Sequence, residues 1–90
     1  MRDLDTLRKE LDSIDKELLE LFIKRQDISK EVAISKASIN KPIYDPVREA
    51  AKLESLTAMC DRKEYREYVQ EFFKGIMDLS KKVQHDTDTH

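Results

Sequence analysis

The sequence holds 90 residues, 17 basic and 19 acidic, for a formal net charge of −2, with one cysteine, one glycine and two prolines. A lone cysteine excludes an internal disulfide and paired-cysteine metal sites, and a balanced charge without single-sign runs offers little to nucleic acid or an anionic membrane. No apolar stretch approaches the ~20 residues that span a bilayer, no signal-like apolar run follows the charged start, and turn formers are too few for a β-rich fold.

The reading is therefore one soluble, cytoplasmic, all-α domain over residues 1–84, with a disordered polar tail at 85–90. A domain this short is marginal alone, which leaves oligomerisation as the expected support.

The first element spans Leu4 to about Ala37. Leu4, Leu11, Leu18, Arg25 and Val32 recur at spacing seven, and Leu7, Ile14, Leu21, Ile28 and Ser35 form a second such row. Together they make a heptad seam, which predicts one long helix with a partner on that face. At 1.5 Å per residue it would run roughly 50 Å, too long for a lone globule of this size to cover. The seam thus asks for a second chain.

The stretch Ser38–Tyr44 is the first break: Pro42 pushes Lys41 out of helical geometry, and Asn40 suits a helix C-terminus. Asp45-Pro46 reads as the start of a second helix, a capping aspartate before a first-turn proline, running to about Met59. Asp61 and Glu64 have capping-box spacing and are expected to open a third helix. Its apolar stripe is read as Tyr65, Val69, Phe72, Ile76, Leu79 and Val83, and Gly75 inside it costs ~1 kcal/mol relative to alanine.

The polar residues at core-like positions carry the chemistry. Arg25 sits where the seam calls for an apolar side chain, and a desolvated guanidinium is expensive unless an anion meets it. Ser29, Val32 and Lys36 follow at offsets of four, seven and eleven, so two cations share one strip of helix. The competing reading is an arginine that snorkels or pairs with a nearby carboxylate. Ser80 and Gln84, one turn apart, read by themselves as a helix flank facing water. Asp45-x-x-Arg48-Glu49 reads as a cap with a solvated charge pair. Lys52 and Lys81 are expected to face solvent, because lysine is rarely fully buried. His85, Asp86, Asp88 and His90 belong to the tail rather than to a metal site. Cys60 is a passive boundary residue.

Taken together, Arg8, Arg25-x-x-Ile28-x-x-x-Val32-x-x-x-Lys36, Asp45-x-x-Arg48-Glu49 and Ser80-x-x-x-Gln84 resemble the all-helical chorismate mutase family, over a region from about Leu4 to Gln84. The resemblance implies a homodimer of chains with one long and two shorter helices, two equivalent sites, and no cofactor or metal. It also implies a small dianionic substrate, chorismate, converted to prephenate on the route to phenylalanine and tyrosine. Carried over, Arg25 and Ser80 would bind a carboxylate, and Lys36 a carboxylate and the ether oxygen. Gln84 would donate to that oxygen. Glu49 and the backbone near Asp45 would hold the ring hydroxyl, Arg48 would give electrostatic support, and Val32 would line the site.

Arg8 would come from the partner subunit. Spacing agrees with this, since 17 residues of straight helix put Arg8 ~25 Å from Arg25. The alternatives are an isochorismate-pyruvate lyase of the same fold and a non-enzymatic helical dimerisation module. The chain reads either as a stand-alone enzyme or as a domain of a longer fusion.

Overall fold

A computed structural model describes residues 1–88. Among them the architecture is all-α, in the order α1 (Leu4–Ser38), α2 (Pro46–Met59), a 3₁₀ turn (Lys63–Tyr65) and α3 (Arg66–Asp88).

The ends of α1 follow from local chemistry. The Asp3 carboxylate accepts from the Thr6 amide at 2.8 Å, satisfying one of the orphan donors of the first turn. At the other end Asn40 takes a left-handed conformation, φ 55°, which asparagine tolerates better than most residues. The Lys41 and Asn40 amides then donate back to the Lys36 and Ala37 carbonyls at 2.8 and 3.2 Å, a Schellman closure. The α2 start forms as its sequence implies: the Asp45 carboxylate accepts from the Arg48 amide at 3.0 Å, with Pro46 in the first turn.

The start of α3 differs from expectation. No side chain caps the turn at Arg62. Instead Arg62 Nε donates to Glu64 at 2.8 Å, and the Arg62 guanidinium lies 5.0 Å above the Tyr65 ring. Glu64 is thus engaged by the residue two before it and forms no box with Asp61. Further on, Arg66 Nε donates to the Cys60 carbonyl at 3.0 Å, tying the linker to the helix. At its far end α3 continues to Asp88, through the first residues of the expected tail. Thr89 and His90 lie outside the described residues.

Helix α3 packs on both α1 and α2, while α1 and α2 share no packed face among the described residues. The inward face of α3 is Val69, Phe73, Ile76, Met77, Ser80, Val83 and Gln84. Tyr65, Phe72 and Leu79, placed on the apolar stripe from spacing, are exposed. Spacings of three and four admit neighbouring registers on one helix. Packing of α3 on the other helices selects the one containing Phe73 and Met77.

The molecule measures 56 × 27 × 14 Å, with a radius of gyration of 16.5 Å against ~12 Å for a compact chain of this length. Ala33 and Met77 are the buried apolar residues among those described. Every residue from Met1 to Leu21 is exposed, including the seam residues Leu4, Leu7, Leu11, Ile14, Leu18 and Leu21.

Candidate active site

Because α1 and α2 both lie on α3 without packing on each other, a gap remains between them. It is a cleft of about 290 Å³, walled by α1 (Arg25, Ile28, Ser29, Val32, Lys36) and by the start of α2 (Asp45, Arg48, Glu49, Lys52). Met77, Ser80, Lys81 and Gln84 of α3 complete it, with Ile43 from the connecting segment. Val32, Met77, Ile28 and Ile43 give it an apolar lining; the rest is polar, with the cations Arg25, Lys36, Arg48, Lys52 and Lys81 outnumbering the carboxylates of Asp45 and Glu49.

On the α1 wall, Arg25 is half-buried, and its Nη1 is buried with no acceptor within reach. A guanidinium carries five donors, and leaving one unmet in the interior costs about 1–3 kcal/mol. The side chain therefore neither snorkels freely nor pairs with a carboxylate, the two alternatives open to it in the sequence. Lys36, three turns on, donates to the Ile43 carbonyl at 2.8 Å. The Lys36 carbonyl also accepts the Schellman bond, so the segment leading to α2 folds back over this one residue. That is how Asp45, Arg48 and Glu49 come to face α1.

Ser29, Ser80 and Gln84 form a buried polar chain, exposed by only 5, 8 and 7%. The Ser29 and Ser80 hydroxyls lie 2.7 Å apart, and Gln84 Nε2 donates to Ser80 Oγ at 3.1 Å. The water-facing reading of Ser80 and Gln84 fails here, because α1 meets α3 on this face and supplies a hydroxyl partner. Gln84 keeps more capacity than this chain uses. An amide carries two N–H donors, and its Oε1 is buried without a partner.

The other side of the cleft corrects the expectation for one of the two lysines, Lys81. Lys81 is 27% exposed and does not project into solvent: its ammonium lies 3.1 Å from Glu49, 3.3 Å from Asp78 and 4.7 Å from the centre of the Tyr44 ring. The hydrogen bond to Glu49 holds its pKa above the ordinary lysine value, with Asp78 adding and burial opposing. Lys52 is exposed but lines the same cleft one turn beyond Arg48.

Residues 7–85 match the family model described as chorismate mutase type II. The chain belongs to that family. It is 44% identical over 55 residues to the T-protein of Haemophilus influenzae, covering 61% of this chain and 15% of that protein. It is 34% identical over 79 residues to a bifunctional chorismate mutase/prephenate dehydratase of Buchnera aphidicola, covering 87% of this chain and 20% of that protein. It is also 29% identical over 82 residues to a chorismate mutase of Methanocaldococcus jannaschii, covering 90% and 83%. The chain thus spans a small part of the first two relatives and most of the third.

Of the residues that the chorismate mutase resemblance singles out, Arg25, Val32, Lys36, Asp45, Arg48, Glu49, Ser80 and Gln84 line this single cleft. Arg8 does not reach it; it stands exposed on the first turns of α1. Sequence reasoning missed Ile43 and Met77 as walls and Lys81 as a participant. Met77 had a usable signal, since Met77, Ser80 and Gln84 follow one another at spacings of three and four. Lys81 had only Asp78 three residues before it, which reads as an ordinary surface pair; its other partners, Glu49 and Tyr44, sit on α2 and in the connecting segment.

Proposed function

We propose that this chain is a chorismate mutase, rearranging chorismate to prephenate as a soluble, cytoplasmic homodimer on the route to phenylalanine and tyrosine. The observation that carries the reading is the unpaired Arg25 guanidinium at the wall of a cleft that also holds Lys36, Arg48 and the Gln84 amide. Such a cleft suits a small dianion. Membership in the chorismate mutase type II family supplies the reaction.

The chemistry asks only for binding groups. The ether C–O bond breaks as a C–C bond forms within one molecule, so no proton moves and no nucleophile attacks. Cationic clamps on both carboxylates hold the flexible arm in its reactive fold, the entropic part of the acceleration. Lys36 and Gln84 donate to the ether oxygen as charge builds there, each worth ~3 kcal/mol by analogy with oxyanion holes. With Gln84 and Ser29 donating to its two lone pairs, Ser80 turns its own proton toward a substrate carboxylate beside Arg25. Glu49 and the backbone at Asp45 take the ring hydroxyl.

The exposed seam of α1 supports a two-fold pairing of chains. An antiparallel crossing near Leu18 and Leu21 carries Arg8 of one copy to the cleft of the other. The test is to incubate the protein with chorismate and follow products by NMR, with Arg25→Ala as control. Prephenate from the wild type alone supports the assignment. Intact chorismate with pyruvate released from isochorismate would transfer it to the lyase, and inertness toward both would leave a dimerisation module.

A further inference from the structure

The ion pair between Lys81 and Glu49 is the feature of the cleft with no part in the scheme above. Lys81 projects from the last third of α3 and Glu49 from the first turn of α2. The ammonium reaches both carboxylate oxygens, at 3.1 and 3.3 Å. It is the side-chain link between α2 and α3 among the described hydrogen bonds and ion pairs. The same ammonium lies over the Tyr44 ring, so it touches the connecting segment as well.

Electrostatics make the pairing matter. The groups facing Lys81 are Glu49 from α2, Asp78 from its own helix and the Tyr44 ring from the connection. Lys36 on α1, Asp45 before α2, and Arg48 and Lys52 on α2 line the same cleft. An ionised glutamate in a site meant for a dianion repels its ligand unless a cation cancels it, and the repulsion grows as water leaves. Lys36 and Arg25 cannot both cancel Glu49 and clamp carboxylates. A lysine committed to Glu49 leaves them free for the ligand. It also holds the carboxylate in one rotamer, with lone pairs remaining for a hydroxyl.

We propose that Lys81 is a positioning residue that neutralises and orients Glu49, so that a carboxylate can accept a substrate hydroxyl inside an anion-binding cleft. This rests on the mutase reading. Lys81 touches no reacting atom and acts through Glu49 alone. Its contribution is therefore the same in ground and transition states, and it falls on KM rather than kcat.

The experiment is a double-mutant cycle read by steady-state kinetics with chorismate, joined to an NMR titration of labelled lysine side chains. Lys81→Met raises KM about fivefold, the size expected of a partly exposed ion pair, with kcat within about twofold. Lys81→Arg keeps the charge and restores KM to within about twofold. In the Glu49→Gln background, where no charge is left to cancel, Lys81→Met changes KM by less than about twofold. In the titration, Lys81 ionises above the ordinary lysine range in the wild type and moves back toward it in Glu49→Gln. An equal KM penalty in both backgrounds, a kcat effect larger than the KM effect, or a Lys81 titration indifferent to Glu49→Gln would each overturn the proposal. A wild type that leaves chorismate intact refutes the mutase reading instead, and the titration still decides the pairing.

Discussion

Replacing Arg25 with leucine separates what the residue does for the fold from what it does for the ligand. In the free protein Arg25 Nη1 is buried and meets no acceptor. An unmet donor of this kind costs about 1–3 kcal/mol, and leucine removes it while keeping an apolar stem against Ile28 and Val32. Part of the gain is lost because leucine fills less volume, so a net stabilisation of about 1 kcal/mol is expected. For a domain of this size that moves the thermal midpoint upward by roughly 4–8 °C at fixed protein concentration. Turnover moves the other way. A charge-assisted hydrogen bond to a substrate carboxylate is worth about 1.5–3 kcal/mol, and an apolar surface facing that carboxylate adds a desolvation cost. The loss in kcat/KM is therefore expected to be about 10²-fold or more. The assay is a thermal melt followed by circular dichroism beside steady-state kinetics on the same sample. A variant that melts lower and turns over normally refutes the reasoning, because Arg25 would then be a structural residue with a satisfied partner.

Three further outcomes follow from the same structure. Leu18→Asp places a charge at the centre of the exposed seam; sedimentation should show two chains for the wild type and one for the variant, with activity lost at the concentrations where the copies separate. A wild type that sediments as one chain at full activity removes the partner subunit's role. Asn40→Val puts a β-branched residue at φ 55° and should destabilise by about 1–2 kcal/mol in a denaturant melt, whereas Asn40→Gly should be neutral or slightly stabilising. The Gln84 amide donates at any pH, so the wild-type rate should stay flat from neutral to mildly alkaline pH. In Gln84→Glu the buried carboxyl is a donor only when protonated and burial raises its pKa, so the variant should lose rate as pH rises; a steep loss in the wild type would contradict the role of Gln84.

The limits of α1 and α2 were legible because local chemistry sets them. Asp45-Pro46 is a start wherever it occurs ahead of a helical segment, and Asn40 before Lys41-Pro42 is a stop. The face of α3 was legible only in part. Val69, Ile76 and Val83 of the expected stripe turn inward, but Tyr65, Phe72 and Leu79 make as good neighbours for them as Phe73 and Met77, and only tertiary packing decides between the two. The same fact explains Ser80 and Gln84. Their burial depends on Ser29 arriving from another helix, 51 residues before Ser80, with a hydroxyl at 2.7 Å. Asp61 and Glu64 show the opposite failure, since a local motif lost to the nearer guanidinium of Arg62. Lys81 offered locally only its pairing with Asp78 three residues before it, which says nothing of Glu49, 32 positions away.

The exposed half of α1 ties stability to function. In proteins, packing of an apolar face supplies most of the stability of a helix. Yet Leu4, Leu7, Leu11, Ile14, Leu18 and Leu21 all face outward in one chain. The cleft itself lies at the other end, where α1 packs on α3, and no residue of this exposed half lines it. On the dimeric reading one act of association therefore does two things. It buries the seam that the single chain leaves bare, and it delivers the last cation to a cleft that already holds Arg25 and Lys36. Binding of the substrate dianion, which needs both sets of cations, must then favour the associated form by the same factor by which association favours binding. Substrate should accordingly lower the protein concentration at which the copies separate. A seam serving stability alone would show no such dependence.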